Sequence, residues 1–583
     1  MKNSLSHTDI QFARHVLGRM PSDEELNVIA AFQRKYLKGR LYTETLNRLD
    51  DGIKRTRIPE EDLMDENGNH MYFFSTLAVG EKIVENIQSL LEAETRSTTV
   101  VHLNNNFKNN DISISAGLVK TGHPTELQLA PAGSIVGFIS LPSKRISKAA
   151  KKRIAGLLEH SWVLGTRIVD QYKLPQSIAT WCTQDDIGVT LKEDIFGIKS
   201  TGLLLVVQHG FKKELLHTVK DWKEQLTIIG SINEKQEIHV AGENGSTITL
   251  PIDVLRFPWR VYSQTRFHRE ELKVDKSLPD DIEKDFTKIF KKLWNEENSQ
   301  PQPEMIAIED DAKSSKQWVM ATSYTHRAST DYPRLAGQLA VADATRNLAS
   351  VGAKFKGVII RNIFHDSNDP EDVWYGFEVI QGQEESIRSL HLPILNRSVT
   401  TLNHQQTQAV FAVGNRQKLE NNQFTGFVSN GDFISILGSH RGELGYSTYM
   451  DLIHNNTIGH LPACDLNMES RIQEAVVQGI QTKLIKSATP LGRGGLAITI
   501  AKELKRGNQG LGARIHFSRK LRNDQMLFGE TQGLVLISLG EEDIMEFERI
   551  CMSIGVPSTT IGRVTDTGRF TFNEFFDIKV MDF

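Results

Sequence analysis

Two stretches of this 583-residue chain repeat each other at one internal spacing, and the repeat limits the folds open to it. Asp194–Val207 reads DIFGIKSTGLLLVV and Gln525–Leu539 reads QMLFGETQGLVLISL. A helical segment and a short strand follow each: LTIIGSINEKQEIHV after the first, STTIGRVTDTGRFTF after the second. Phe196 and Gly230 stand 34 positions apart, and so do Phe528 and Gly562. A spacing held in element order and in glycine placement marks one fold unit used twice. The unit is domain-sized, so the chain reads as a tandem duplication and not as a solenoid.

Composition narrows the function classes. The chain is 39% hydrophobic and 24% charged, enough to bury several cores, about four at ordinary domain size. A net charge of −4 gives no electrostatic reason to expect nucleic acid or an acidic membrane as a partner. Apolar runs such as GLLLVV from Gly202 fall far short of the roughly 20 residues of a membrane-spanning helix. No apolar leader segment is visible at the N-terminus. Cys182, Cys464 and Cys551 are isolated, which indicates neither a disulfide framework nor a zinc site. The expectation is a soluble, cytoplasmic protein.

Local patterns divide the chain into six segments. Residues 1–60 read as a small helical domain: Ser22 and Glu25 form a capping box ahead of Leu26, Ile29 and Ala30. Residues 61–133 hold a helical pattern from Met71 to Leu91, then the strand-like VVHL and ISISAGLV. Residues 134–262 carry the run GSIVGFISL and the first copy of the repeat. Charge dominates from Arg266 to Glu297, and SQPQPE follows from Ser299, so 263–305 reads as a linker. Residues 306–425 contain the helix GQLAVADATRNL, a turn and strand in VGAKFKGVIIRN, and the strand AVFAVGN; residues 426–583 start on the strand GDFISILG. Helices alternating with β-rich segments predict an α+β fold of α/β sandwiches.

Pairing Ala78 with Ala340, Gly117 with Gly414 and Phe196 with Phe528 lets the offset grow from 262 to 297 to 332. On that alignment the first unit is shorter by about 70 residues, in two portions of about 35. The gaps fall where the second unit carries glycine-rich loops.

The motifs GQLAVADATRNLASVGA, GDFISILGSHRGELGYSTYM, ATPLGRGGLAITIAKEL and LFGETQG occur in this order. In that order they resemble the second half of phosphoribosylformylglycinamidine (FGAM) synthase, a family of the aminoimidazole ribonucleotide (AIR) synthetase-like superfamily. FARHVLGRMPSDEEL is similar to that family's N-terminal domain, and residues 135–262 to the C-terminal domain of its first unit. The resemblance implies two AIR-synthetase-like units, each of an N-terminal and a C-terminal α/β domain, the first unit shortened. It implies an ATP- and Mg²⁺-dependent C–N ligase of purine biosynthesis, in which ammonia displaces an iminophosphate. No glutaminase domain is visible, so the implied partners are a separate glutaminase and a small subunit of the same pathway, with a homo-oligomer as a further option.

The implied chemistry needs carboxylates for Mg²⁺, an assisting His and backbone amides around phosphate. The family's first active-site His falls on Tyr36, and an Asp falls on His102. Glu66-Asn67-Gly68-Asn69-His70 keeps part of a Glu…His-Asn-His-Pro motif. This makes Glu66 a metal ligand and His70 the catalytic residue, unless the stretch is only a polar turn. Asp366 or Asp369 is the second metal-carboxylate position, Asp366 being preferred. Gly438, Arg441, Gly442 and Gly445 lie in a loop whose amides could cradle an anion. Gly337, Asn347, Gly494 and Gly495 are the positions expected beside a nucleotide, or else ordinary packing residues. The basic run Lys144–Arg153 replaces that loop in the first unit, as a phosphate site or as a solvated helix face.

Two functions lead at this point, ahead of a related ATP-dependent reaction on another substrate. One is a degenerate family member with a scaffold, regulatory or nucleotide-binding role. The other is an active FGAM synthase fed with ammonia by a separate glutaminase.

Overall fold

A computed structural model describes residues 7–33, 70–79, 100–103, 112–121, 130–140, most of 153–255, 285–299, 305–309, 316–323, 331–365, 370–402, 406–417 and 426–583. Two helices open the chain, α1 (His7–Leu17) and α2 (Asp23–Gln33). The capping box forms as read: Glu25 N–H donates to Ser22 Oγ (3.2 Å) and Ser22 N–H to Glu25 Oε2 (2.7 Å).

Three strands follow, β1 (His70–Val79), β2 (Val100–Leu103) and β3 (Ile112–Thr121), in the antiparallel order β1-β3-β2. The expected helix from Met71 therefore begins as a strand. HMYFFSTLAV is rich in aromatic residues that fit a pleated surface, and pairing with β3 over ten residues decides its state.

The first seven-stranded sheet comprises β4 (Ile135–Ser140), β5 (Val163–Val169), β6 (Gly188–Leu191), β7 (Gly202–Val207), β8 (Leu226–Asn233), β9 (Glu237–Ala241) and β10 (Thr247–Pro251). Its order is β10-β9-β6-β8-β4-β7-β5. Helices α3 (Leu174–Asp185) and α4 (Lys212–Val219) accompany it.

Next come α5 (Phe286–Ser299) and a five-stranded sheet of β11 (Met305–Glu309), β12 (Lys316–Thr322), β13 (Lys354–His365), β14 (Ile394–Leu402) and β15 (Thr407–Gln417). Its order is β11-β12-β15-β13-β14. Helices α6 (Pro333–Ala349) and α7 (Pro370–Ser389) pack on each other and on this sheet.

The last sheet holds β16 (Phe433–Leu437), β17 (Ile485–Pro490), β18 (Gly512–Ile515), β19 (Val535–Leu539), β20 (Ser558–Thr565), β21 (Arg569–Phe572) and β22 (Phe576–Lys579). Helices α8 (Thr448–His454), α9 (Leu466–Gln481), α10 (Gly495–Arg506), α11 (Asn523–Phe528) and α12 (Ile544–Ile554) connect and cover it.

The second seven-stranded sheet repeats the first strand for strand. Read from its other edge the order is β22-β21-β18-β20-β16-β19-β17, and one inner pair in each sheet is parallel, β6 with β9 and β18 with β21. Even the irregularity is copied. Gly230 lies opposite Val136 beside a register shift, and Gly562 lies opposite Ile434 beside another. A Cβ at either glycine would collide with a strand carbonyl, of Thr190 or of Arg514. The 34-residue spacing thus runs from the anchor phenylalanine to a bulge glycine. In β7, Leu204 and Val206 face one core while Leu203, Leu205 and Val207 face the other. In β19 and the residue before it, Leu534 and Leu536 divide in the same way from Val535, Ile537 and Leu539. Burial on both faces explains why β7 is an unbroken apolar run and why β19 is apolar but for Ser538, which pairs with Ser487. The fold is a tandem of α/β units, as the repeat requires.

Two alignment anchors survive and one does not. Gly117 sits on β3 between Phe74 and Val100, as Gly414 sits on β15 between Val319 and Phe355. Phe196 and Phe528 each close a short helical turn. Ala78, however, is on β1 and Ala340 is inside α6; the strand opposite Gly117 is β1 and the one opposite Gly414 is β12, so β12 is the counterpart of β1.

The segment expected as a linker contains a core helix. Phe286, Ile289, Phe290, Leu293 and Trp294 are buried with the residues beneath the last sheet. Their i, i+3, i+4, i+7, i+8 spacing is an apolar stripe opposite Lys288, Lys291 and Lys292. Phe290 meets Phe583 at 5.1 Å and Phe576 at 5.4 Å. Helix α2 serves the first sheet in the same way: Phe32 lies 5.6 Å from Phe196, and Phe286 lies 6.4 Å from Phe528. No described helix is long and apolar enough to cross a membrane.

Candidate functional site

Three turns of the second unit converge: the loop 438–446 after β16, the turn 491–495 before α10, and the turn 529–533 between α11 and β19. Close glycine packing joins them. A Cβ on Gly495 (φ +70°) would lie 2.7 Å from Phe528 Cα, and a Cβ on Gly529 2.7 Å from Gly442 Cα. The structure therefore brings together Gly438, Arg441, Gly442, Gly494 and Gly495, with Gly445 on the same loop.

The amides of this cluster already have partners. Gly442 N–H donates to Thr531 Oγ1 (3.1 Å) and His440 Nδ1 (3.2 Å), and Arg441 N–H to Thr531 Oγ1 (3.2 Å). Gly445 N–H donates to His460 O (2.9 Å), and Gly438 N–H to Pro557 O (2.8 Å). Gly494 N–H and Thr448 N–H both donate to Glu530 Oε1, each at 2.8 Å. The cations are held as well. Arg441 binds Glu443 Oε1 (2.7 Å) and the Ala463 carbonyl (3.1 Å). Arg493 lies 3.1 Å from Glu297 of α5, which also receives Lys502 Nζ (2.5 Å). Thr489 donates to Glu503 Oε1 (2.5 Å), whose other oxygen receives Ser487 (2.6 Å). Burial raises the Glu503 carboxyl above the usual carboxylate range.

Gly337 and Asn347 serve packing instead. A Cβ on Gly337 would strike the Val379 carbonyl of α7, so that glycine permits the α6–α7 approach. Asn347 is buried and donates to the Thr322 carbonyl at the end of β12 (2.9 Å). His70 is the first residue of β1; Tyr36, Glu66, Asp366, Asp369 and nearly all of Lys144–Arg153 lie outside the described residues. His102 is on β2 opposite Ser115. Among the described residues no group of three or more His, Cys, Asp or Glu is placed to hold a metal ion. ATP with Mg²⁺ does not fit the second-unit cluster, whose donors and cations face internal acceptors.

Sequence reasoning missed the residues that organise the cluster. His440 is buried, its Nδ1 accepting from Gly442 while Nε2 donates to Met526 O (3.0 Å). Burial pushes its pKa down to about 4, so the ring is neutral. Arg346 is fully buried and forks onto Glu469 at 2.8 and 2.9 Å, with Gln532 at 3.3 Å, tying α6 to α9 and to the turn 529–533. Glu530 and Thr531 lie within LFGETQG, so their signal was a carboxylate and a hydroxyl in a conspicuous turn.

Residues 429–573 match the family described as AIR synthase related protein, C-terminal domain. The chain is 25% identical over 472 residues to the phosphoribosylformylglycinamidine synthase subunit PurL of Alkaliphilus metalliredigens, covering 75% of this chain and 61% of that protein. It is 31% identical over 246 residues to PurL of Symbiobacterium thermophilum, covering 41% of this chain and 32% of the relative. These matches span less than two thirds of the relatives' own lengths. PurL of Thermotoga maritima, solved in complex with ATP, superposes with a TM-score of 0.59 at 11% identity over 96% of this chain and 100% of that one. This last likeness shows the fold alone.

Proposed function

We propose that this chain, a PurL-like protein of the AIR synthase-related group, is a catalytically degenerate relative of FGAM synthase that works by binding or assembly. The observation that carries the reading is the internal use of the second unit's polar groups. A phosphate cradle keeps amides and cations turned toward its ligand. Here Thr531, Glu530, Glu443 and Glu297 take those groups. Tyr36 and His102 stand where the resemblance expects an active-site His and an Asp, and neither a phenol nor an imidazole replaces its counterpart's chemistry near neutral pH.

Retained nucleotide binding belongs to this proposal as a binding function, supported by the fold shared with a PurL solved with ATP. No catalytic step through ATP or Mg²⁺ is derived, because the second-unit residues do not fit them. A scaffold of this kind would recruit a separate glutaminase and the small subunit that the resemblance implies.

Incubating the full chain with formylglycinamide ribonucleotide, MgATP and ammonium, and following ADP and the amidine, tests the reading. The expected result is no turnover under conditions where a working PurL turns over. Formation of both products would overturn it, and loss of that activity in His70→Ala would restore His70 as the catalytic residue.

A further inference from the structure

We propose that Glu530 is the resident anion of the second unit, its carboxylate taking the amides that a phosphate-like oxyanion would otherwise receive. The proposal deepens the reading above, in that the cluster holds an internal ligand in place of an outside one. Two backbone N–H groups from separate elements, Thr448 at the start of α8 and Gly494 before the twelve-residue α10, converge on Glu530 Oε1, each at 2.8 Å. The carboxylate is buried with 4% of its residue surface exposed. Its own amide is anchored to the Glu443 carbonyl (2.9 Å), which holds the side chain at this point. Two amides on one buried oxygen, one of them at a helix N-terminus, form the arrangement that selects an anion.

Two further observations point to anion chemistry and not merely to a cap. The hydroxyl of Thr448, the residue whose N–H reaches Glu530, is buried and has no hydrogen-bond partner among the described residues, so this residue carries a donor that the carboxylate leaves unused and that a tetrahedral anion in its place could engage. The repeat also supplies an internal control. At the offset of 332 that aligns Phe196 with Phe528, the residue matching Glu530 is Ile198. After β4 the first unit reads LPSKRISKAAKKRIAG, in which no glycine stands before Gly156. The carboxylate occurs in the copy whose sequence has the glycine-rich loop and is replaced by an apolar side chain in the copy whose sequence lacks those glycines.

Glu530→Ala should expose the site to inorganic sulfate and phosphate. The melting temperature of the full chain and of the variant is measured in chloride, sulfate and phosphate at matched ionic strength. Subtracting the wild-type change removes the general stabilisation by sulfate. The expected result is a variant several degrees less stable in chloride that regains about half of its deficit, saturably, in sulfate or phosphate. An equal deficit in all three salts would overturn the proposal. If Glu530→Ala does not fold, Glu530→Gln decides: a neutral amide of the same shape should melt lower than wild type, and equal stability would overturn the proposal. Rescue together with ligase turnover removes the functional reading and leaves Glu530's role; no turnover and no rescue does the reverse.

Discussion

His440 gives a prediction whose size follows from its surroundings. Its ring is buried, its Nδ1 accepts the Gly442 N–H, its Nε2 donates to Met526 O, and it stacks on Phe517 at 6.1 Å. A second ring proton would turn Nδ1 into a donor facing a donor, next to the cations Arg441 and Arg519 and with Glu443 as the nearby acid. Burial thus lowers its pKa from 6.5 to about 4. The unfolded chain takes up a proton below about pH 6.5 while the folded chain refuses it until about pH 4. The stability from the neutral ring is therefore complete above the unfolded pKa and is lost as pH falls through this window. The full span corresponds to about 3 kcal/mol, of which about 2 kcal/mol is lost between pH 7 and pH 5. His440→Gln keeps a donor for Met526 O and leaves Gly442 N–H on Thr531, but cannot titrate. Urea titrations at pH 7 and pH 5, read by hydrogen exchange in peptides from 426–583, should show the wild type losing about 2 kcal/mol more than the variant. Equal losses would refute the reasoning, because every other titrating group is common to both proteins.

The buried pair at the α6–α9 contact and the helix α5 give two more tests. Arg346→Met leaves Glu469 buried with Gln473 as its remaining side-chain partner (2.9 Å). It should cost about 3–5 kcal/mol, while adding Glu469→Met should recover most of the loss; a double variant as unstable as the single would refute this account, and urea unfolding measures both. Phe290→Ala should destabilise the 426–583 core by about 3–5 kcal/mol, the usual cost of emptying a buried aromatic site. A change within about 0.5 kcal/mol, the range for an exposed segment, would return 286–299 to the role of a linker.

The fold was legible where local pattern and global contact agree. A strand buried on two faces is apolar almost throughout, so DIFGIKSTGLLLVV and QMLFGETQGLVLISL announced the β7 and β19 positions, and the repeated spacing kept Gly230 and Gly562 in step. Legibility failed where long-range partners decide the outcome. The run from Met71 has apolar residues that suit either period, and only β3 supplies the ten-residue ladder that makes it a strand. In α5 the stripe from Phe286 to Trp294 was present in the sequence, but the surrounding lysines and glutamates pull average polarity toward that of a linker. An average over a window hides a face; the spacing does not.

The site was legible in place and not in role, for a physical reason. Glycines report backbone geometry, and Gly442, Gly494 and Gly495 did mark a point where three turns meet. Whether amides in such a turn face a ligand or a side chain depends on residues far away in sequence, here Thr531 and Glu530 for the loop at 442 and the turn at 494. Arg493 is the plainest case. It stands beside Gly494 and Gly495, the positions expected next to a nucleotide, yet its guanidinium lies against Glu297, nearly two hundred residues earlier and inside the segment taken for a linker. Once α5 is recognised as a core helix, Glu297 becomes a fixed buried carboxylate and Arg493 and Lys502 become its counter-ions. The linker reading and the role of the turn at Gly494 and Gly495 are therefore tied together. Correcting the first moves the turn 491–495 from ligand binding to the anchoring of α5, and Glu530 is left as the anion that the neighbouring amides hold.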